Sequence, residues 1–200
     1  MIISGLTFGY NKDYYVFEDF SFESSEPLIA LKGPSGCGKT TLLKIISQNL
    51  LPEKKTFIQF YKNTYFVIQE DGLFPWLTGV ENISKFLSVG QKEILSNNLF
   101  PVLESFIHKK ASEMSYGQRR MIELFRAFLG KPELLLLDEP FNFLDKMNRN
   151  IFTCEILNLI ASGTKVILTS HYNEDISDLK PTVYYFNNSF PVKKLDNEGN

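Results

Sequence analysis

The sequence predicts an α/β fold: a mostly parallel sheet flanked by helices, with an antiparallel β part at its N-terminal end and a small helical subdomain inserted at about 71–117. Three observations predict it. The short apolar runs Leu134-Leu135-Leu136-Leu137 and Lys165-Val166-Ile167-Leu168-Thr169 alternate with segments of helical period, as expected for strands buried on both faces. The run Leu28-Ile29-Ala30-Leu31 leads directly into a glycine-rich turn that opens a helix. From Asp71 onward the texture turns helical until the chain reaches Ser112.

The elements follow in order. Ile2-Ile3, Val16 to Phe22 and Leu28 to Leu31 read as short strands. Aromatic and β-branched residues parted by Gly, Asn, Asp and Ser suggest antiparallel pairing there. Thr40 to Ile46 has the apolar spacing of a helix, and Tyr65-Phe66-Val67-Ile68 is an apolar strand ending at Gln69. Val80 to Leu87 is amphipathic; Glu93 to Phe100 and Val102 to Ile107 read as two further helices split by Pro101. Gln118 to Leu129 is a helix closed by Gly130 and Pro132, and Asn148 to Ala161 one closed by Ser162-Gly163. Thr182 to Phe186 is a late strand, and the polar tail from Lys193 is expected to fray.

A chain of 200 residues has room for one domain with a substantial core, expected to span 1–200. A net charge of -2 supplies no basic field for phosphate neutralisation, so no nucleic-acid partner is expected. Eighteen Phe and nine Tyr against one Trp read as an aromatic core rather than a stacking platform for bases. Cys37 and Cys154 make no disulfide framework and fit a reducing cytoplasm. Met1 to Gly5 lacks the pattern of a signal peptide, and no apolar run approaches the roughly 20 residues of a membrane span. The expectation is a cytoplasmic chain that serves a membrane only through a partner.

Gly33-Pro34-Ser35-Gly36-Cys37-Gly38-Lys39-Thr40 meets every fixed position of the P-loop pattern, with a strand before it and a helix after. Its glycines let successive backbone N–H groups turn inward around phosphate oxygens. The helix that follows aims its positive end at the same anion. Lys39 would reach the β- and γ-phosphates, and Thr40 would place a hydroxyl on Mg2+. Thr41 is counted with the nucleotide contacts.

Leu134 to Leu137 delivers Asp138 and Glu139 at the C-terminal end of a buried strand, where ligands of parallel sheets bind. Asp138 suits a Mg2+ ligand, through water. Glu139 suits the general base that orients or deprotonates an attacking water. The P-loop and this acidic pair together imply a nucleoside triphosphatase of unspecified kind.

Further motifs carry a resemblance. Met114-Ser115-Tyr116-Gly117-Gln118 resembles the Leu-Ser-Gly-Gly-Gln signature of the ATP-binding cassette (ABC) ATPases. Gln69 after its strand resembles the family's Q-loop glutamine, Asn142-Phe143-Leu144-Asp145 its D-loop, and Thr169-Ser170-His171 its switch-histidine segment. Tyr10 stands where the family has the aromatic residue that stacks on adenine, with Tyr14 and Tyr15 as neighbouring candidates. The resemblance implies ATP and Mg2+ as cofactors. It implies that Gln69 touches Mg2+ and the attacking water, and that His171 contacts the γ-phosphate. It implies that Ser115, Gly117 and Gln118 complete the ATP site of a second copy packed head to tail, with Asp145 at that interface. Two departures stand out. Tyr116 and Met114 replace glycine and leucine of the signature. Many relatives carry an arginine three residues after the signature glutamine; here that place is Met121, with Arg119 and Arg120 beside it. Only 30 positions separate Gln69 from Lys39, which leaves little room for the usual antiparallel arm.

Gln69-Glu70-Asp71-Gly72-Leu73-Phe74-Pro75-Trp76-Leu77-Thr78-Gly79-Val80-Glu81-Asn82-Ile83 resembles the Q-loop stretch of ATPases from nitrate, sulfonate and taurine importers. This implies transmembrane permease subunits as partners, with a substrate-binding protein possible beside them, and a place on the inner face of the cell membrane. Trp76 has two readings: an exposed anchor for a permease, or a side chain packing the helical insertion onto the sheet. Two alternatives to transport stay open: an ABC ATPase of assembly or repair, and a nucleotide-dependent scaffold with weak hydrolysis.

Overall fold

The structure is a computed structural model that describes residues 1–11, 14–53, 56–170, 176–186 and 193–194. Strands β1 (Ile2–Asn11) and β2 (Tyr14–Glu23) pair antiparallel and lead to β3 (Leu28–Lys32) and α1 (Lys39–Ile46). Then come β4 (Phe57–Ile58), β5 (Thr64–Val67), α2 (Gly79–Leu87), α3 (Gln91–Leu95) and α4 (Phe100–Leu103). Helix α5 (Tyr116–Leu129), β6 (Leu134–Asp138), α6 (Lys146–Ala161), β7 (Lys165–Thr169), β8 (Thr182–Tyr185) and β9 (Lys193–Lys194) complete the order.

Two sheets result. One has the order β2-β1-β4, with both described pairings antiparallel; the other has the order β5-β6-β7-β3-β8-β9. The second is parallel from β5 to β8, and only β9 runs antiparallel. Side-chain alternation splits its core in two. Leu134 and Leu136 of β6 pack with Ile29 and Leu31 of β3 against α1 and the antiparallel sheet. Leu135 and Leu137 pack with Val166 and Leu168 of β7 against α5, α6 and the helical segment. A strand buried on both faces must be apolar at every position, which is why these runs do not alternate.

Several boundaries differ from the sequence expectation. β1 runs to Asn11 rather than stopping at Ile3. Gly5 takes a φ of 63°, and the register shifts between Ile3 and Leu6, so a bulge returns Leu6 to the core. Pro101 does not split a helix; it sits in the first turn of α4, where its missing N–H costs nothing. α5 starts at Tyr116 and α6 at Lys146, because Ser115 and Asp145 cap them. Lys193 and Lys194, expected to fray, lie on the edge of the parallel sheet against Tyr184 and Tyr185.

The helical segment is pinned where it leaves the sheet. Asn82 is fully buried on α2, and its amide donates to the carbonyls of Phe74, Leu77 and Thr78. Its Oδ1 accepts the Phe74 N–H at 2.8 Å. Thr78 and Glu81 form a capping box at the start of the same helix.

Candidate nucleotide site

The parallel register sets the site. Leu31 of β3 lies beside Thr169 of β7, and Thr169 beside Asp138 of β6. Three strands therefore finish at one level, and the loop from Gly33 to Thr40 leaves the sheet there. Crevices at the C-terminal ends of parallel strands are where such folds bind ligands.

The loop has the shape of an anion cradle. Gly33 and Gly38 have φ of 147° and 99°. A Cβ at Gly33 would overlap the Phe186 carbonyl oxygen; one at Gly38 would lie 3.0 Å from Val16 and 3.1 Å from Phe17. Neither conformation nor space admits a side chain. Pro34, Ser35 and Gly36 are exposed, while Cys37 and Lys39 are buried. Gly38 caps α1 without a side-chain bond, so the first-turn N–H groups are not covered by a capping side chain. Lys39 Nζ curls back and donates to the carbonyls of Gly33 at 2.8 Å and Pro34 at 2.9 Å. Neutral carbonyls are weak partners for a buried ammonium, so a phosphate would displace them. Thr40 is half-buried in the first turn of α1. The neighbouring Thr41 hydroxyl lies 3.0 Å from the Tyr10 hydroxyl. Tyr10 is 62% exposed and braced edge-on by Phe8. Tyr15 is also exposed, but this bond ties Tyr10 to the loop helix.

The two carboxylates behave differently. Asp138 is buried; its Oδ1 accepts the Thr169 hydroxyl at 2.6 Å, and its Oδ2 has no hydrogen-bond partner among the described residues. Glu139, also buried, takes a φ of 51°, and its N–H donates to Thr169 Oγ1 at 3.0 Å. An unpartnered buried carboxylate oxygen suits a hard cation or its water. Thr40 and Gln69, the other expected ligands, also offer oxygen atoms, so the donor chemistry fits Mg2+. Among the described residues no group of three His, Cys, Asp or Glu gathers to hold a metal alone, so phosphate and water would complete the shell. His171 lies outside the described residues.

Ser115 and Gln118 form a capping box: the Ser115 hydroxyl accepts the Gln118 N–H at 3.2 Å, and Gln118 Oε1 accepts the Ser115 N–H at 3.0 Å. Tyr116 is 64% exposed, stacked on Phe143 at 5.5 Å and covered by the Arg119 guanidinium at 4.3 Å. A Cβ at Gly117 would lie 2.6 Å from the Phe143 carbonyl oxygen, so glycine is required here by contact within the chain. Asp145 caps α6, accepting the Asn148 N–H at 2.8 Å.

Gln69 is exposed just beyond β5, and its backbone is gripped by α5. Arg120 donates to the carbonyls of Ile68 and Gln69, each at 2.8 Å, and pairs with Glu123 at 2.9 Å. Glu123 accepts the Gly72 N–H, Arg126 donates to the Gly72 carbonyl, and Arg119 pairs with Asp71 at 2.6 Å. In the sequence Arg119 and Arg120 stand out only as neighbours of Met121. The available signal was charge at Arg120, Glu123 and Arg126, three residues apart in a stretch from Arg120 to Leu129 that is otherwise apolar. Thr169 was also missed as a site residue in its own right; the signal was a hydroxyl ending an apolar strand level with Asp138.

The fold and the glycine loop define a P-loop α/β protein. The sequence profile of the ABC transporter family matches residues 18–142. The chain is 33% identical over 166 residues to the osmoprotectant import ATP-binding protein OsmV of Salmonella typhimurium, spanning 72% of this chain and 44% of that one. It is 32% identical over 185 residues to the aliphatic sulfonates import ATP-binding protein SsuB of Bacillus cereus, spanning 86% of this chain and 71% of that one. A bacterial ABC transporter cassette solved as a dimer shares the fold, with a TM-score of 0.82 and 22% identity over 98% of each chain. The chain belongs to the ABC transporter family. It spans about half the length of the first two curated relatives, 44% and 54%.

Burial raises the pKa of Glu123 above its usual 4.5, against the opposing pull of Arg120 and the Gly72 N–H. The folded chain then holds a proton that the unfolded chain releases, so this group's contribution to stability falls as pH rises from 4.5 through the raised value. Glu123→Gln, which cannot titrate, should flatten the pH dependence of the denaturation midpoint across that window. An unchanged slope would show that Glu123 is charged throughout.

Proposed function

We propose that this chain is the ATP-binding and ATP-hydrolysing subunit of an ABC transporter. It powers translocation, import in a bacterium, through separate transmembrane subunits. The observation that carries this reading is the meeting, at the C-terminal ends of β3 and β6, of the glycine cradle, the buried Lys39 and the unpartnered oxygen of Asp138.

Tyr10 stacks on adenine, held in place by Thr41. The backbone N–H groups of Gly33, Ser35, Gly36, Cys37 and Gly38, with the N-terminus of α1, receive the phosphates, and Pro34 shapes the loop between them. Lys39 exchanges the Gly33 and Pro34 carbonyls for phosphate oxygens. Thr40, Asp138 and Gln69 would hold Mg2+, which would supply charge neutralisation for the phosphates. Glu139 orients or deprotonates the attacking water, and the family resemblance gives His171 the γ-phosphate. The Ser115 hydroxyl spends a lone pair on its cap and keeps its proton. With Gly117 and Gln118 it can therefore donate to the γ-phosphate held by a second copy, with Asp145 at that interface.

Among the described residues no helix is long and apolar enough to cross a membrane, so transport requires partner subunits. Phe74, Trp76 and Phe86 form an exposed aromatic cluster, with ring separations of 5.5 and 6.1 Å from Phe74. Trp76 is 66% exposed, which favours the anchor reading over packing onto the sheet. Such clusters suit burial by a partner. The relatives are named osmoprotectant and aliphatic sulfonates import ATP-binding proteins, and this spread of cargo over similar chains supports a cargo set by partner subunits.

Lys39→Ala should abolish nucleotide binding in a fluorescence titration. Glu139→Gln should keep ATP, trap an ATP-bound dimer and lower turnover by about 100-fold or more. Turnover at the wild-type rate would remove Glu139 from the base role. Trp76→Ala should leave the isolated chain's ATPase rate intact and weaken capture by the permease about tenfold or more. Undiminished capture would place the docking surface elsewhere.

A further inference from the structure

Thr169 ends β7 and is fully buried. A hydroxyl has one proton to donate and lone pairs to accept with. At Thr169 the Glu139 N–H takes a lone pair at 3.0 Å, so the proton is left for Asp138 Oδ1 at 2.6 Å. The side chain thus spans the two acidic residues, touching the carboxylate of one and the backbone of the other. Two consequences follow. The Asp138 carboxyl is held by Oδ1, which leaves Oδ2 as the oxygen without a partner among the described residues. The Glu139 peptide is held in a left-handed conformation that residues with side chains seldom adopt. Threonine suits the task because its β-branch restricts χ1, so the hydroxyl does not wander between rotamers.

We propose that Thr169 is a positioning residue for hydrolysis: it presents the second oxygen of Asp138 to the metal and fixes the turn that carries the Glu139 carboxylate. This rests on the ATP-hydrolysing reading above. Outer-shell partners of metal-binding carboxylates act in this way, by orienting the ligand rather than by touching the metal. A purely structural hydroxyl would satisfy a buried amide and affect melting alone.

The test uses Mn2+ in place of Mg2+. Affinity for Mn2+ with ADP is read by electron paramagnetic resonance, alongside steady-state ATPase assays and thermal melts, in wild type, Thr169→Val and Thr169→Ser. Thr169→Val, of equal shape without the hydroxyl, should weaken Mn2+ binding and lower kcat, each about tenfold or more, with little change in KM for ATP. Thr169→Ser should retain both. Should the valine variant not fold, Thr169→Cys, whose thiol is a weak donor, carries the same expectation. A folded variant with wild-type Mn2+ affinity overturns the proposal. A wild-type chain that neither binds Mn2+ with ADP nor hydrolyses ATP overturns the parent reading, and this role with it.

Discussion

The parallel hydrogen bonding that sets Leu31 beside Thr169, and Thr169 beside Asp138, decides where the functional groups fall. One residue of slip in either pairing would turn every side chain of a strand to the opposite face. The apolar sets would then face the wrong cluster, and the Asp138 carboxyl would lose the Thr169 hydroxyl. The two half-cores that flank the sheet therefore hold the site in register as well as stabilising the fold. Leu134 and Leu136 on one side, and Leu135 and Leu137 on the other, leave no position at which β6 could shift cheaply.

A second constraint acts on α5. Burying Arg120, Glu123 and Arg126 carries a desolvation cost that an apolar helix face would avoid. What these charges do is grip backbone: Arg120 bonds Ile68 and Gln69, and Glu123 and Arg126 both bond Gly72. The segment after β5 cannot move relative to α5 without exposing partnerless buried charge. Asp71 extends the link to Arg119, Arg119 covers Tyr116, and Tyr116 stacks on Phe143. The segment carrying Gln69, the start of α5 and the loop before Asp145 are thus in continuous contact within one chain. Tyr116, where the family has glycine, is a member of that contact and does not obstruct the start of α5.

What was legible in the sequence was local. The glycine loop and the acidic pair at the end of β6 are defined by spacings of a few residues, so composition and order reveal them. Fully buried strands announce themselves as unbroken apolar runs. The rest depends on partners distant in the chain. The length of β1 was hidden by Ser4, Gly5, Thr7 and Gly9, and emerges only from pairing with β2. β4 is two residues long and exists because Ile3 and Ser4 lie opposite it. Arg120 stands out in the sequence only as a neighbour of Met121, because the carbonyls it bonds lie 51 and 52 positions away. Thr169 looked like the end of a strand, because its partners Asp138 and Glu139 are 31 and 30 positions back.

The most direct test is a crystal structure of this chain with Mg2+ and a non-hydrolysable ATP analogue. The expected result has the β-phosphate inside the Gly33–Thr40 loop. Lys39 Nζ should have left the Gly33 and Pro34 carbonyls for phosphate oxygens, the metal should lie between Thr40 and Asp138 Oδ2, and Thr169 should still bond Oδ1. A nucleotide bound elsewhere, or a Lys39 ammonium still on the two carbonyls with phosphate present, would contradict it.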